Sequence, residues 1–191
     1  MSTLSFAAAR DDHERDDHER RRLLWAMPAG IYVLGTTGSP SGPFHLMTHS
    51  LVVQAATEPC VLALAVERAA KTHRLLESTG VATLTVLRRD QRELARRFVK
   101  PDLEVVLHDD GSPQSIAGAD VAPAPSGAPF LPDALGSFDL RQVGAHGFES
   151  HTLFVMEVCE VAVSPELMTG TPSARLAEVL RMEDTKMNYG G

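Results

Sequence analysis

The chain has 191 residues, 43% of them hydrophobic and 23% charged, which excludes wholesale disorder and allows a sizeable core without disulfide or metal staples. Its 18 basic and 25 acidic side chains leave a net charge of −7. That balance argues against a broad grip on nucleic acid or anionic lipid, while a local cationic pocket remains compatible with it.

The most unusual stretch comes first. Asp11 to Arg22 holds Asp-Asp-His-Glu-Arg twice in tandem, with Asp11 and Arg15, Asp16 and Arg20, and Asp17 and Arg21 four apart in the favourable acid-first order for a helix. His13 and His18 fall on different sides of such a helix, so a shared metal ion is not expected. Residues 1–22 therefore read as a charged N-terminal extension, and 23–191 as one domain. The opening residues lack a basic segment followed by a sustained apolar run, and the apolar stretch Cys60 to Val66 is far short of the ~20 residues that span a bilayer. A soluble, cytoplasmic protein is expected.

Ile31 to Thr36 reads as a strand, followed by a hairpin loop at Gly38 to Pro43. Leu51 to Ala56 and Cys60 to Val66 are short apolar runs whose β-branched content predicts two buried strands. Cys60 and Cys159 lie in such runs and read as small, reduced core residues. Lys71 to Ser78 predicts a short helix with Thr72 as its cap and Gly80 just past its end. After a strand at Val81 to Leu87, Asp90 and Glu93 resemble a capping box that opens a helix with Leu94 and Phe98 on one face. Ala117 to Pro132, with four prolines, predicts a long surface excursion. Ser137 to Val143 and Thr152 to Val163 are strand-like, and Ser173 to Arg181 predicts a last helix. Many strands with two short inserted helices point to a β-barrel with helical decoration.

Several chemistries are absent from the sequence. The stretch Gly35 to Gly42 is glycine-rich, but its spacing is not that of a dinucleotide-binding turn, and Pro40 and Pro43 prevent a helix from opening there. No P-loop or nucleophile-elbow pattern occurs. His45 and His49 are four apart beside a turn, without the glutamate of a zinc-protease motif, so no metal is expected. What remains is an anion site at Lys71-Thr72-His73, where a helix start offers free N–H groups, a lysine charge and a hydroxyl. Taken alone, this is equally a capped helix with a solvated lysine. Met47-Thr48-His49-Ser50 sets polar groups beside an apolar strand, which suits a flat amphipathic ligand or a self-satisfied turn.

The order Met47-Thr48, then Pro59, then Lys71-Thr72-His73 and Leu75-Leu76, resembles the flavin reductase-like proteins. The likeness continues through Val81 to Leu87, Gln91 to Phe98, Gly127 to Leu131 and His151 to Phe154, and covers about Pro28 to Val163. It implies a mainly β, Greek-key-like FMN-binding split barrel with short helices, acting as a homodimer with FMN near the subunit interface. By this resemblance Met47, Thr48, His49, Ser50 and Leu51 lie along the flavin, Ala55 and Ala56 lie beneath it, and Lys71, Thr72 and His73 grip its phosphate. His151 matches a histidine near the flavin that orients the nicotinamide or manages a proton. Family members often carry serine at the positions of Leu51, Gln54 and Ala70, so this chain has fewer side-chain hydroxyls there; Lys71 still favours FMN over riboflavin.

The activity so implied is an NAD(P)H-dependent flavin reductase, with NADH or NADPH as co-substrate and reduced flavin released or passed to a partner monooxygenase. The alternatives are an FMN-binding electron-transfer module without reductase turnover, or an FMN-dependent enzyme acting on a small organic substrate.

Overall fold

The computed structural model describes residues 13–39, 41–169, 171 and 178–185, with side chains from 18 onward. Helix α1 (His13–Trp25) leads into β1 (Tyr32–Thr37), β2 (Phe44–His49), β3 (Val52–Thr57) and β4 (Cys60–Glu67). Helix α2 (Lys71–Thr79), β5 (Val81–Val86), a 3-10 turn at Arg89–Gln91 and α3 (Arg92–Arg97) follow. Short strands β6 (Val105–Leu107), β7 (Pro113–Ile116), β8 (Ala119–Asp120), β9 (Ala122–Pro123) and β10 (Pro129–Phe130) precede the long pair β11 (Gly136–Gly147) and β12 (His151–Val163). Helix α4 (Pro165–Met168) and a helical turn at Met182–Thr185 complete the described chain.

Seven strands form one open antiparallel sheet in the order β2-β1-β5-β11-β12-β4-β3. The late pair β11–β12 is inserted between β5 and β4, which gives the Greek-key-like order expected. The two edge strands, β2 and β3, are consecutive in sequence and joined only by Ser50 and Leu51. Ser50 and Leu51 therefore run across the gap where the sheet fails to close. Backbone bonds hold this crossing: the Val52 amide donates to Ser50 at 3.0 Å and the Ala65 amide to Leu51 at 3.1 Å.

Alternation along β1 and β2 feeds two apolar clusters. Val33, Phe44 and Leu46 join Phe98, Ile116 and Leu131 on one face. Leu34 and Met47 join Leu64, Leu76, Leu84 and Phe154 on the other. Helix α2 ends at Gly80, whose φ of 66° is the left-handed conformation glycine adopts cheaply and whose amide donates to Leu76 at 2.8 Å.

Several expectations are corrected. The Leu51–Ala56 run forms a strand, but not a buried one. β3 is an edge whose side chains are mostly exposed, because β4 covers only one side of it. Thr72 is not the α2 cap: Ala70 holds that position without a side-chain bond, and Thr72 lies inside the first turn. The second helix is set by Arg88, whose amide donates to the Gln91 side chain at 2.8 Å, rather than by Asp90 and Glu93. Ala117–Pro132 is not a surface excursion throughout, since Ala119, Val121, Ala128 and Leu131 are buried beneath its short strands. Both cysteines are free, yet Cys159 is exposed and Cys60 only half-buried. The predicted Ser173–Arg181 helix lies mostly outside the described residues, as do the Asp11, Asp16 and Asp17 ion pairs; Val179 and Arg181 form bridges to Arg88 and Gly30. No described helix is long and apolar enough to cross a membrane.

Candidate functional site

A strand places every second side chain on the same face, so His45, Met47 and His49 of β2 share one side, opposite Thr36, Leu34 and Tyr32 of β1. Helix α2 packs against these two strands. Its first turn carries Lys71 and Thr72, with no side-chain cap and no acidic residue. The N–H groups of such a helix start and the lysine charge converge on the same end of the β1–β2 face.

The polar atoms here are under-used. Among the described residues, the buried side-chain atoms without a hydrogen-bond partner include Thr36 Oγ1, His45 Nδ1, His49 Nε2 and Thr72 Oγ1. Buried polar groups are ordinarily satisfied, so these four atoms, closed off along one face and the adjoining helix start, are exceptions to that rule. Burial is the main reason that His45 titrates at about 4, and the Lys71 charge pushes the same way while Asp102 opposes it. His49 also titrates at about 4, chiefly through burial; a backbone hydrogen bond at Leu51 works against the shift and the charge of nearby His151 adds to it. Both imidazoles are neutral at pH 7.

The remaining residues of interest divide by their partners. Thr48 turns to the other face, where its hydroxyl donates to the Ala95 carbonyl and its amide to Phe98 at 3.1 Å, pinning α3 to β2. His73 is buried with Thr152 Oγ1 2.8 Å from Nε2 and Glu77 3.3 Å from Nδ1, and its ring meets Phe154 edge-on at 5.3 Å. A proton on Nδ1, facing Glu77, leaves Nε2 to accept from Thr152, so both ring nitrogens are engaged within the protein. His151 opens β12 half-exposed, with Ser150 Oγ 2.9 Å from its Nδ1. Ser50 and Leu51 lie on the crossing, Leu51 exposed. Ala55 occupies a bulge between Gln54 and Ala56 on the outer edge strand, exposed, with Ala56 half-buried.

The structure therefore brings Met47, His49, Lys71 and Thr72 to one face, with His151 within electrostatic reach of His49. It sets Ala55 and Ala56 on the edge and gives Thr48 and His73 partners within the protein. His45, which the sequence suggests only as a metal candidate, lies on that same face of β2. A cleft of about 300 Å³ opens elsewhere, lined by Phe130, Phe138, Asp139 and Val161. Its buried carboxylate, Asp139, already accepts from the Ser126 amide at 3.0 Å and from the Ser126 hydroxyl, and no cation lines it. Chemistry favours the α2 face over that cleft. Among the described residues, no cluster of three or more His, Cys, Asp or Glu is placed to hold a metal ion.

Comparison with known proteins agrees in kind. A family model described as a flavin reductase like domain matches residues 24–175. FMN reductase (NADH) SmoA of Agrobacterium fabrum is 27% identical over 147 residues, covering 74% of this chain and 74% of that protein. FMN reductase (NADH) RutF of Methylorubrum extorquens is 30% identical over 146 residues, covering 75% of this chain and 65% of that protein, just under two thirds of its length. The solved structure of a nitrilotriacetate monooxygenase component B homologue from Mycobacterium thermoresistibile superposes with a TM-score of 0.68 at 17% identity, covering 93% of each chain. At that identity, the likeness establishes the split-barrel fold.

Proposed function

The chain belongs to the flavin reductase like domain family, and on that footing we propose that it transfers hydride from NADH to FMN. The observation that carries this reading is the start of α2, where Lys71 opens a helix with no side-chain cap and no acid in its first turn, packed against the β1–β2 face. That donor set suits a phosphate monoester, since one full charge is present and the neighbouring donors are neutral or backbone.

When bound, the flavin supplies the ring nitrogen that accepts the hydride. The chain's own residues hold and orient. Lys71, Thr72 and the α2 amides bind the phosphate. Met47, together with Leu51 and the Ala55–Ala56 edge, offers apolar contact to a flat ring. His49, neutral and buried, keeps a hydrogen-bonding nitrogen on that face without adding charge. His151, at the rim, orients the nicotinamide or exchanges a proton with solvent through Nε2 while Ser150 holds Nδ1. His73 positions the first turn of α2 against β12 rather than touching the ligand.

We read residues 23–191 as one flavin-binding domain preceded by a charged extension, active as a homodimer in the cytoplasm, where NADH is available. The dimer is supported by the exposed edge strand β3, with Leu51 and Val53 outward, beside a face that one chain leaves open. Names of relatives such as the nitrilotriacetate monooxygenase component B homologue support delivery of reduced flavin to a partner monooxygenase.

A steady-state assay tests the activity. Purified protein should accelerate NADH oxidation when FMN is added, with NADPH, FAD and riboflavin run in parallel. No acceleration with any flavin overturns the proposal.

A further inference from the structure

The turn between β11 and β12 carries an aromatic ring and a cation that the flavin reading leaves unused. Phe148, at the start of that turn, is 53% exposed. The His146 ring meets it edge-on at 4.9 Å and 72°, which leaves at least one face of the phenyl ring uncovered. Arg68, just past β4, reaches the same turn. Its Nη1 donates to the Phe148 carbonyl at 3.3 Å and its amide to the Ser150 carbonyl at 2.9 Å. The Phe148 amide donates to the His151 carbonyl at 2.7 Å and closes the turn. Arg68 is exposed and forms no ion pair among the described residues, neither with Glu67 beside it nor with Glu149 on the turn.

We propose that Phe148 and Arg68 form the subsite for the adenylate half of NADH: the phenyl ring stacks on adenine and the guanidinium pairs with the diphosphate, with the nicotinamide toward His151. This rests on the hydride-transfer reading above.

The order of the groups along the rim carries the assignment. Glu67 is the register partner of His151, so Arg68 lies one step further toward the turn, and Phe148 lies on the turn itself. His151, Arg68 and Phe148 thus follow one another as nicotinamide, diphosphate and adenine do in the dinucleotide. A guanidinium presents a planar fork of N–H donors that matches phosphate oxygens, and only one contact of that fork is taken up by the Phe148 carbonyl. An exposed phenyl face suits a purine, because stacking asks for no buried hydrogen-bond partner. Both groups are open to water, so the grip is modest and salt-sensitive. Two accounts compete: Phe148 and Arg68 only close the turn, or Phe148 packs against a second copy of the chain.

The test compares the KM for NADH with that for reduced nicotinamide mononucleotide, which lacks the adenylate half. It uses the unmodified full-length protein, Phe148→Ala, Phe148→Tyr and Arg68→Ala, with ADP binding followed by calorimetry. Phe148→Ala should raise the NADH KM and weaken ADP at least about fivefold, the lower end of base stacking on an aromatic ring. The mononucleotide KM should change less than about twofold, and Phe148→Tyr should restore NADH and ADP. Arg68→Ala should weaken ADP at least about fivefold at low salt and flatten the salt dependence of its binding. An unchanged NADH KM in Phe148→Ala, or an equal rise for both nucleotides, overturns the subsite and leaves the hydride-transfer reading standing. A changed oligomeric state of Phe148→Ala in sedimentation overturns it in favour of the contact between copies. Should the unmodified protein oxidise no NADH, the hydride-transfer reading falls and ADP decides alone: binding weakened in Phe148→Ala upholds the subsite, and absent or unaltered binding overturns it. Should Phe148→Ala not fold, ADP must shift the Phe148 ring resonances of the unmodified protein, and unmoved resonances overturn the proposal.

Discussion

Thr152 Oγ1 lies 2.8 Å from His73 Nε2, and this buried contact ties the first turn of α2 to β12. The resemblance assigned His73 to the phosphate grip. Here its ring is held by Thr152 and Glu77 and by the edge of Phe154. Replacing it with alanine leaves a cavity and an unsatisfied hydroxyl. His73→Ala should lower stability by about 2–4 kcal/mol, read from the urea unfolding midpoint. An unchanged midpoint contradicts the structural role.

Lys71 makes the opposite prediction. It is half-buried and carries no carboxylate partner among the described residues. Lys71→Ala should leave the unfolding midpoint within about 0.5 kcal/mol, as surface changes usually do. The same change should weaken FMN about tenfold or more. Titration with FMN at two salt concentrations checks this, because the unmodified protein's affinity should fall with salt more steeply than the variant's.

The depressed titration of His49 fixes a pH dependence. Its folded value of about 4 lies below the ordinary histidine value of 6.5, so the unfolded chain takes up the proton first as pH falls. Stability is therefore intact above about pH 6.5 and declines as pH drops toward 4, by about 3 kcal/mol for this one group. His45, depressed to the same value, adds a similar loss over the same range, so unfolding midpoints measured from pH 7.5 to 4.5 should fall about twice as steeply as one group alone predicts. His49→Leu should remove about half of that slope, and an unaltered slope in that variant excludes His49 as a source.

Gly35 illustrates a glycine required by packing. A Cβ built there meets the Pro129 carbonyl oxygen and the Thr83 hydroxyl, which itself donates to that carbonyl at 2.5 Å. The contact locks β10 over β1 and β5. Gly35→Ala must move backbone, so a loss of roughly 2–4 kcal/mol is expected. Differential scanning calorimetry should show a melting temperature lower by several degrees.

Strand identities were largely legible in the sequence because β1, β4, β5 and β12 are runs of β-branched and apolar residues bounded by turn signals. Their layers were less so. Leu51–Ala56 looks as apolar as Cys60–Val66, yet β3 ends at the edge of an open sheet; composition marks a strand without saying what covers it. Proline counts misled at Ala117–Pro132, where short strands bury Ala128 and Leu131 despite the breaks. The site was legible at Lys71 because a helix start with an adjacent lysine is a local signal. In the sequence His45 and His49 are four apart beside a turn and suggest only a metal pair that lacks its glutamate; the period of two in a strand is what places His45, Met47 and His49 together. Of the partners of His73 only Glu77 is local; Thr152 and Phe154 lie 79 and 81 residues away, and no local pattern carries such contacts.

The central claim is that this chain brings NADH and FMN together for hydride transfer. An absorption spectrum of the purified protein mixed with FMN, recorded anaerobically before and after NADH, tests it most directly. The account predicts that the visible bands of oxidised flavin bleach far faster with the protein than with NADH and FMN alone. Bands that persist at the uncatalysed rate would contradict it.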